Sequence, residues 1–118
     1  MLLSVLKSKI HLCTLTGADI EYEGSIGISR ELLDAAEILP YEEVLVANVR
    51  DGARLTTYAI PLDEPGQIVL NGAAAHYGKP GDKLIIMTFA KAEPEEARKI
   101  VPKVIKPGPD NRVRSDRN

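Results

Sequence analysis

The stretch "EEVLVANVRDGARLTTYAI", residues 42–60, has two apolar, β-branched runs on either side of an Asp-Gly pair. Runs of this kind are typical of β-strands. Asp51-Gly52 suits a tight hairpin turn, because such turns require positive φ values that this pair tolerates. The segment therefore predicts a β-hairpin made of "EEVLVANV" and "RLTTYAI", with the second strand closed by Pro61.

Three more runs predict strands: "LSVLKSKIHLCTLT" at 3–16, "QIVL" at 67–70 and "KLIIMTFAKA" at 83–92. The segment "DIEYEG" at 19–24 either continues a strand or opens a turn. About six strands with one or two short helices indicate a mainly β fold, a small β-barrel with helical additions.

The best helix is "ISRELLDAAEIL", residues 28–39. Ser29 is a suitable N-cap, and Leu32, Ala36 and Leu39 belong to an apolar stripe with helical spacing. We expect Pro40 to end the helix, because proline cannot continue one.

Composition predicts one globular domain over residues 1–105, with a flexible C-terminal tail over 106–118. The chain has 118 residues, 44% of them hydrophobic and 27% charged, and a net charge of −2. Because the charges are balanced and interspersed, we expect no nucleic acid or membrane partner. The apolar stretch at the start of the chain is too short for the hydrophobic region of a secretory leader, so a cytoplasmic protein is expected.

Cysteine and histidine are too few and too far apart to predict a metal site. A single cysteine, Cys13, excludes an internal disulfide, and His11 and His76 lack ligand spacing. The expected role of Cys13 is that of a small buried apolar residue.

The segment "EYEGSIGI", residues 21–28, contains a Gly-Ser pair with two readings. It is either an ordinary turn or a bond that the protein breaks in itself. The Ser25 hydroxyl is able to attack the Gly24 carbonyl, and β-elimination and hydrolysis then leave a pyruvoyl group in place of the serine. Glycine tolerates the strained backbone that this approach requires.

Five ordered blocks support the second reading, because together they resemble the aspartate 1-decarboxylase family. They are "KIH" at 9–11, "ADIEYEGSIGI" at 18–28, "LLDAAEIL" at 32–39, "RLTTYAI" at 54–60 and "NGAAAH" at 71–76. The resemblance implies a six-stranded double-psi β-barrel assembled as a homotetramer. It also implies decarboxylation of L-aspartate to β-alanine and carbon dioxide, in pantothenate biosynthesis.

The resemblance assigns catalytic roles to Ser25 and Tyr58. Cleavage after Gly24 converts Ser25 into the pyruvoyl group, the covalent cofactor that forms a Schiff base with the substrate. Tyr58 is the proton donor, and a phenol with an ordinary pKa of about 10 is protonated at neutral pH, as a donor must be.

The resemblance also implies a substrate-binding set. Arg54 suits a carboxylate because its planar fork grips both oxygens. The set of substrate-binding residues is Lys9, Arg54, Thr57, Gly72, Ala73 and Ala74, and His11, Tyr22 and Asn71 are possible lining residues.

Two points stay open in sequence. In a regular strand the side chains of Arg54 and Tyr58 lie on one face and that of Thr57 lies on the other. Thr57 and Tyr58 can serve the same site only if the strand is bulged or ends there, or if the two faces serve sites shared between neighbouring subunits. Gly27 stands where we expect alanine or threonine in the family, and it predicts added backbone freedom near the cleavage site.

The alternative from another functional class is a non-enzymatic small β-barrel binding module in which Gly24-Ser25 remains an intact turn. A slowly maturing precursor of the enzyme is a third possibility.

Overall fold

A computed structural model describes residues 1–114, and the chain is continuous through Gly24-Ser25. Its strands are β1 (Leu3–Thr14), β2 (Gly17–Asp19), β3 (Ser25–Ser29), β4 (Glu43–Asn48), β5 (Arg54–Leu62), β6 (Ile68–Asn71), β7 (Lys83–Ala92) and β8 (Lys103–Ile105). The helices are α1 (Arg30–Ala36), α2 (Pro94–Ala97) and a 3-10 helix (Gly72–Tyr77).

The eight strands described form one sheet in the order β2-β6-β3-β5-β4-β7-β1-β8. The predicted hairpin is confirmed as the antiparallel pair β4 and β5. Three pairs are parallel, namely β1 with β8, β2 with β6 and β3 with β5. The mainly β class with short helices is confirmed, and six of the strands have four or more residues.

The core is aliphatic, as the scarcity of aromatic residues predicts. Ile10, Leu15, Ile26, Leu70 and Ile86 are among its fully buried side chains. Cys13 is also fully buried, and burial raises the pKa of its thiol to about 12. The thiol therefore behaves as a small apolar group and not as a nucleophile.

The helix prediction is correct at its start and wrong at its end. The Ser29 hydroxyl accepts a hydrogen bond from the Leu32 amide at 3.4 Å, so Ser29 is the N-cap. The helix ends at Ala36 and not at Pro40, because Glu37 adopts a left-handed conformation with φ of 59°. Leu39 consequently lies outside the helix and is 69% exposed.

The segment predicted as a flexible tail has a described part, residues 106–114, that lies against the barrel; residues 115–118 lie outside the described residues. The Asn111 side chain is 1% exposed. Its amide nitrogen donates to the carbonyls of Thr14 (2.7 Å) and Gly66 (2.8 Å), and its oxygen accepts from the Thr14 amide at 2.7 Å. One side chain thus ties this segment to the end of β1 and to the loop before β6.

We predict that Asn111→Ala lowers the free energy of unfolding by about 3 kcal/mol, because it leaves three buried backbone groups without partners. The measurement is chemical denaturation of the purified protein. Arg112→Ala is the matched control, since it removes only an exposed ion pair with Glu31 and is expected to cost less than about 1 kcal/mol. Equal losses for the two variants would contradict the anchoring role of Asn111.

Candidate functional site

The predicted scissile pair lies where β3 begins. Ser25 is the first residue of β3 and is 1% exposed, whereas Gly24 before it is exposed. The Ser25 hydroxyl donates to the Glu23 carbonyl at 2.9 Å and accepts a hydrogen bond from the Asn71 side-chain nitrogen at 3.1 Å. Hydrogen bonding thus directs the hydroxyl back toward the chain that precedes it.

Gly72 packs directly against Gly24. A Cβ atom at position 72 would lie 2.7 Å from both the Cα and the nitrogen of Gly24, and 2.9 Å from the Tyr22 carbonyl oxygen. The φ of Gly72 is +63°, which also favours glycine. Position 72 therefore has to be glycine for two independent reasons, and the backbone of Gly24 fills the space that a side chain would take.

A cavity of about 360 Å³ adjoins Gly24. Its lining residues come from Gly24, from β5 and from the 3-10 helix: Gly24, Leu55, Thr56, Thr57, Ala73, Ala74 and Tyr77. The structure thus brings Thr57, Ala73 and Ala74 to the scissile pair. The sequence did not predict the participation of Leu55, Thr56 or Tyr77, although Leu55 and Thr56 lie within the block at 54–60 and Tyr77 directly follows the block at 71–76.

The cavity lies along a partly unpaired edge of β5. On one side, β5 pairs with β4 in an unbroken register from Tyr58 to Arg54, so this part of the strand has no bulge. On the other side, the pairing with β3 begins only at Ala59. From Arg54 to Tyr58 the second edge of β5 therefore has no strand partner and faces Gly24 and the 3-10 helix. Residues from both faces of β5 can line the cavity along this edge.

Tyr58 and Arg54 lie on the face of β5 opposite that of Leu55, which packs against the core. Tyr58 lies opposite Glu43, and its ring centroid is 6.2 Å from that of Tyr41. Tyr58 also immediately precedes Ala59, whose partner Ile26 follows Ser25, so its backbone passes beside the scissile pair. Arg54 is exposed and forms no ion pair with another described residue.

Lys9 and His11 lie apart from the cavity within one chain. The register places Lys9 opposite Met87, Met87 opposite Leu45, and Leu45 opposite Thr56. Three strand spacings separate Lys9 from the cavity-lining Thr56, about 14 Å along the sheet. The structure therefore does not bring Lys9 to Gly24 in a single copy of the chain.

His11 sits where β1 departs from regular pairing. The register with β7 shifts between Ile10 and Cys13. The Nδ1 atom of His11 is buried and has no hydrogen-bond partner in the part of the chain that the structure describes. Burial, with the charges of Lys9 and Lys106, lowers the pKa of His11, so the ring is neutral at neutral pH.

Tyr22 and Asn71 line a second cavity, of about 280 Å³, on the outer side of β3. Tyr22 is 54% exposed, and its segment 19–24 forms a turn after the short β2. Asn71 lines this cavity and also donates the hydrogen bond to the Ser25 hydroxyl.

The expectation that Gly27 adds backbone freedom is wrong. Gly27 pairs with Ile60 on one side and Val69 on the other, which fixes its backbone. The Leu62 side chain occupies the space beside it, with one methyl carbon 2.8 Å from where a Cβ would stand. Glycine at this position makes room for Leu62.

Residues 1–114 contain no group of three or more His, Cys, Asp or Glu side chains placed to hold a metal ion. Among the same residues, no helix is long and apolar enough to cross a membrane.

Comparison with known proteins gives a consistent match. A family model described as aspartate decarboxylase matches residues 1–114. An aspartate 1-decarboxylase of Acaryochloris marina is 52% identical over 110 residues, which is 92% of this chain and 84% of that protein. Aspartate 1-decarboxylases of Lactiplantibacillus plantarum and Clostridium beijerinckii are 50% and 46% identical, covering 96% and 100% of this chain and 88% and 96% of theirs.

We predict that Gly72→Ala lowers the free energy of unfolding by at least about 2 kcal/mol more than Gly52→Ala does. Both glycines have a positive φ, +63° and +77°, but a Cβ at position 52 would have no atom within 4 Å. The loss of stability in the Gly52→Ala control therefore reports the backbone conformation alone. The additional loss in Gly72→Ala measures the steric contact with Gly24. Denaturant titration of both variants checks this prediction. Equal losses of unfolding free energy would mean that the Gly24 backbone shifts to accommodate the new methyl group at no cost.

Proposed function

The chain belongs to the aspartate decarboxylase family, and we propose that it converts L-aspartate into β-alanine and carbon dioxide for pantothenate biosynthesis. The observation that carries this proposal is the match to these carboxy-lyases over residues 1–114, with Gly24, the residue before Ser25, lining a cavity. The binding-module alternative is not favoured, because the matched relatives are enzymes and the match extends over nearly their whole length.

The proposed maturation begins with Ser25. Its oxygen attacks the Gly24 carbonyl carbon, the C–N bond breaks as the C–O bond forms, and the hydroxyl proton passes to the released amine. β-Elimination then removes the Cα proton of residue 25 to solvent, breaks the Cβ–O bond and frees the Gly24 carboxylate. Tautomerisation and hydrolysis of the remaining dehydroalanine release ammonia and leave a pyruvoyl group at position 25.

The surroundings of Ser25 fit this role. Asn71 donates to the Ser25 oxygen at 3.1 Å and so restrains its position. Gly24 carries no side chain to obstruct attack, and Gly72 leaves its backbone free to approach that of Gly24. The φ of Gly72, +63°, is one that glycine adopts without strain, so the close approach of the two backbones costs little at this position.

A pyruvoyl carbonyl at this position supplies the electron sink that decarboxylation requires. The residues of the chain would then hold the substrate around it. Thr57 lines the cavity and offers a hydroxyl to the substrate. The small side chains of Ala73 and Ala74 leave room on the opposite wall.

In this proposal Arg54 binds a substrate carboxylate and Tyr58 donates the proton. Arg54, which has no carboxylate partner among the described residues, binds the carboxylate that aspartate retains. Tyr58 protonates the carbon from which carbon dioxide has left.

We further propose that the active assembly is a homotetramer and that Lys9 and His11 reach the cavity from a neighbouring copy. The separation of Lys9 from Thr56 by two intervening strands supports this arrangement, since a lysine side chain does not span about 14 Å. In this arrangement Lys9 reaches the cavity across a subunit boundary, whereas Thr57 reaches it within its own chain, along the unpaired edge of β5.

Intact-mass measurement tests the maturation step. We expect wild-type protein to yield a 24-residue fragment ending at Gly24 and a 94-residue fragment without a free amino terminus. Ser25→Ala should give one unbroken chain without β-alanine production, because it lacks the attacking oxygen. Ser29→Ala is the matched control, a buried serine of the same strand that should still be cleaved. Wild-type protein that stays whole and inactive after long incubation would refute the proposal.

Subunit mixing tests the source of Lys9. Lys9→Ala and Ser25→Ala are each expected to be inactive alone. When the two chains are expressed together, we expect activity to reappear, because a Ser25-containing copy then receives an intact Lys9 from its neighbour. Activity is measured as carbon dioxide release per cleaved chain. Failure of the mixed oligomer to exceed either parent would place Lys9 outside the neighbour's site.

A further inference from the structure

A buried polar pair, Asn48 and Asp82, joins the end of β4 to the loop before β7. Asn48 is 2% exposed and Asp82 is 7% exposed. The Asn48 side-chain nitrogen donates two hydrogen bonds of 2.9 Å, one to an Asp82 carboxylate oxygen and one to the Tyr77 carbonyl. A buried side chain thus holds the last residue of the 3-10 helix.

Asp82 fixes the direction in which the Asn48 amide points. Its carboxylate also accepts from the Lys79 amide and from the Arg50 Nε, each at 3.0 Å. The hydrogen bond from Asn48, with those from Lys79 and Arg50, lowers the pKa of Asp82. The Asn48 oxygen accepts from the Arg50 amide at 2.9 Å. With an acceptor on one side and a donor on the other, the amide has one favourable orientation.

The helix that Asn48 holds forms one wall of the cavity. Ala73, Ala74 and Tyr77 all belong to it and line that space. At its start the Asn71 side chain makes no cap hydrogen bond and donates to Ser25 instead, whereas Asn48 anchors the C-terminal end. A Cβ on Gly78 would lie 3.2 Å from the Asn48 nitrogen, which shows how closely the chain packs there.

The same asparagine also fixes the start of β5. Its backbone amide donates to the Ala53 carbonyl, and its carbonyl accepts from the Gly52 amide, both at 2.8 Å. Arg54 follows directly. Asn48 therefore connects the two walls of the cavity, the 3-10 helix through its side chain and β5 through its backbone.

We propose that Asn48 and Asp82 are positioning residues of the decarboxylase site: Asp82 orients the Asn48 amide, and Asn48 holds the 3-10 helix at the distance from Thr57 that the substrate requires. This inference rests on the proposed function. Neither residue touches the cavity, so the expected effect of their loss is on substrate binding and not on the chemical step.

The test exchanges the two residues. Asn48→Asp alone removes the donor to Tyr77 and sets two carboxylates side by side, so we expect lower stability and a KM raised about 10-fold. Asn48→Asp combined with Asp82→Asn restores a donor–acceptor pair at the same net charge, but the Tyr77 carbonyl still lacks its donor. Stability should therefore recover in part, because the two carboxylates no longer face each other, while KM stays about 10-fold high and kcat per cleaved chain changes less than about 3-fold.

Recovery of KM together with stability would overturn the proposal, because it would reduce the pair to a purely structural role. If the exchanged protein does not fold, Asp82→Ala alone decides: it removes the carboxylate that orients the Asn48 amide, and a wild-type KM in this variant also overturns the proposal. Asp63→Asn is the matched control, an exposed aspartate paired with Arg30, and should leave KM unchanged.

Cleavage measured by mass separates this inference from the function on which it rests. Wild-type protein that neither cleaves nor releases carbon dioxide from aspartate refutes the function itself. Active wild-type protein with unchanged KM in the variants refutes only the positioning role.

Discussion

The candidate site depends on where β3 stops pairing with β5. From Ala59 to Leu62 β5 pairs with β3, whereas from Arg54 to Tyr58 it pairs with β4 alone. A strand edge inside a folded protein has unpaired backbone groups that need some cover. Here the cover is Gly24 and the 3-10 helix, which approach without completing the sheet, and the space left between them is the cavity.

This arrangement explains why glycine and alanine surround the predicted scissile bond. The segment before β3 and the segment after β6 meet because Ser25 and Asn71 are opposite each other in the sheet. The next residue outward on one strand is Gly24 and the next on the other is Gly72, and their backbones touch. Sheet register thus determines that position 72 must lack a side chain, whereas a Cβ at position 24 would have no atom within 4 Å. Ser25 acquires its hydrogen bond from Asn71 as part of the same pairing.

The sequence predicts those features that depend on neighbours in the chain. The β4–β5 hairpin follows from Asp51-Gly52, the Ser29 cap from its own hydroxyl, and β7 from an uninterrupted apolar run. The end of α1 was mispredicted because Glu37 turns left-handed before Pro40 acts. Glu37 carries no sequence signal for that conformation, which normally favours glycine or asparagine. Gly27 was misinterpreted for a similar reason, since its role comes from Leu62, 35 positions later in the chain.

The site itself was predictable only in its reacting groups. A Gly-Ser pair with "RLTTYAI" and "NGAAAH" names Ser25, Thr57 and the alanines, but the geometry that joins them lies in contacts between distant segments. Asn48 makes this plain. In sequence it is one polar residue at the end of an apolar strand, with nothing to distinguish it from a turn residue. In the fold it meets Tyr77 and Asp82, 29 and 34 positions away, and its burial is tolerable because both hydrogens of its amide are used. A buried amide with every group satisfied permits one arrangement of its neighbours, so the residue that carries no chemistry is the one that sets the distance across the cavity.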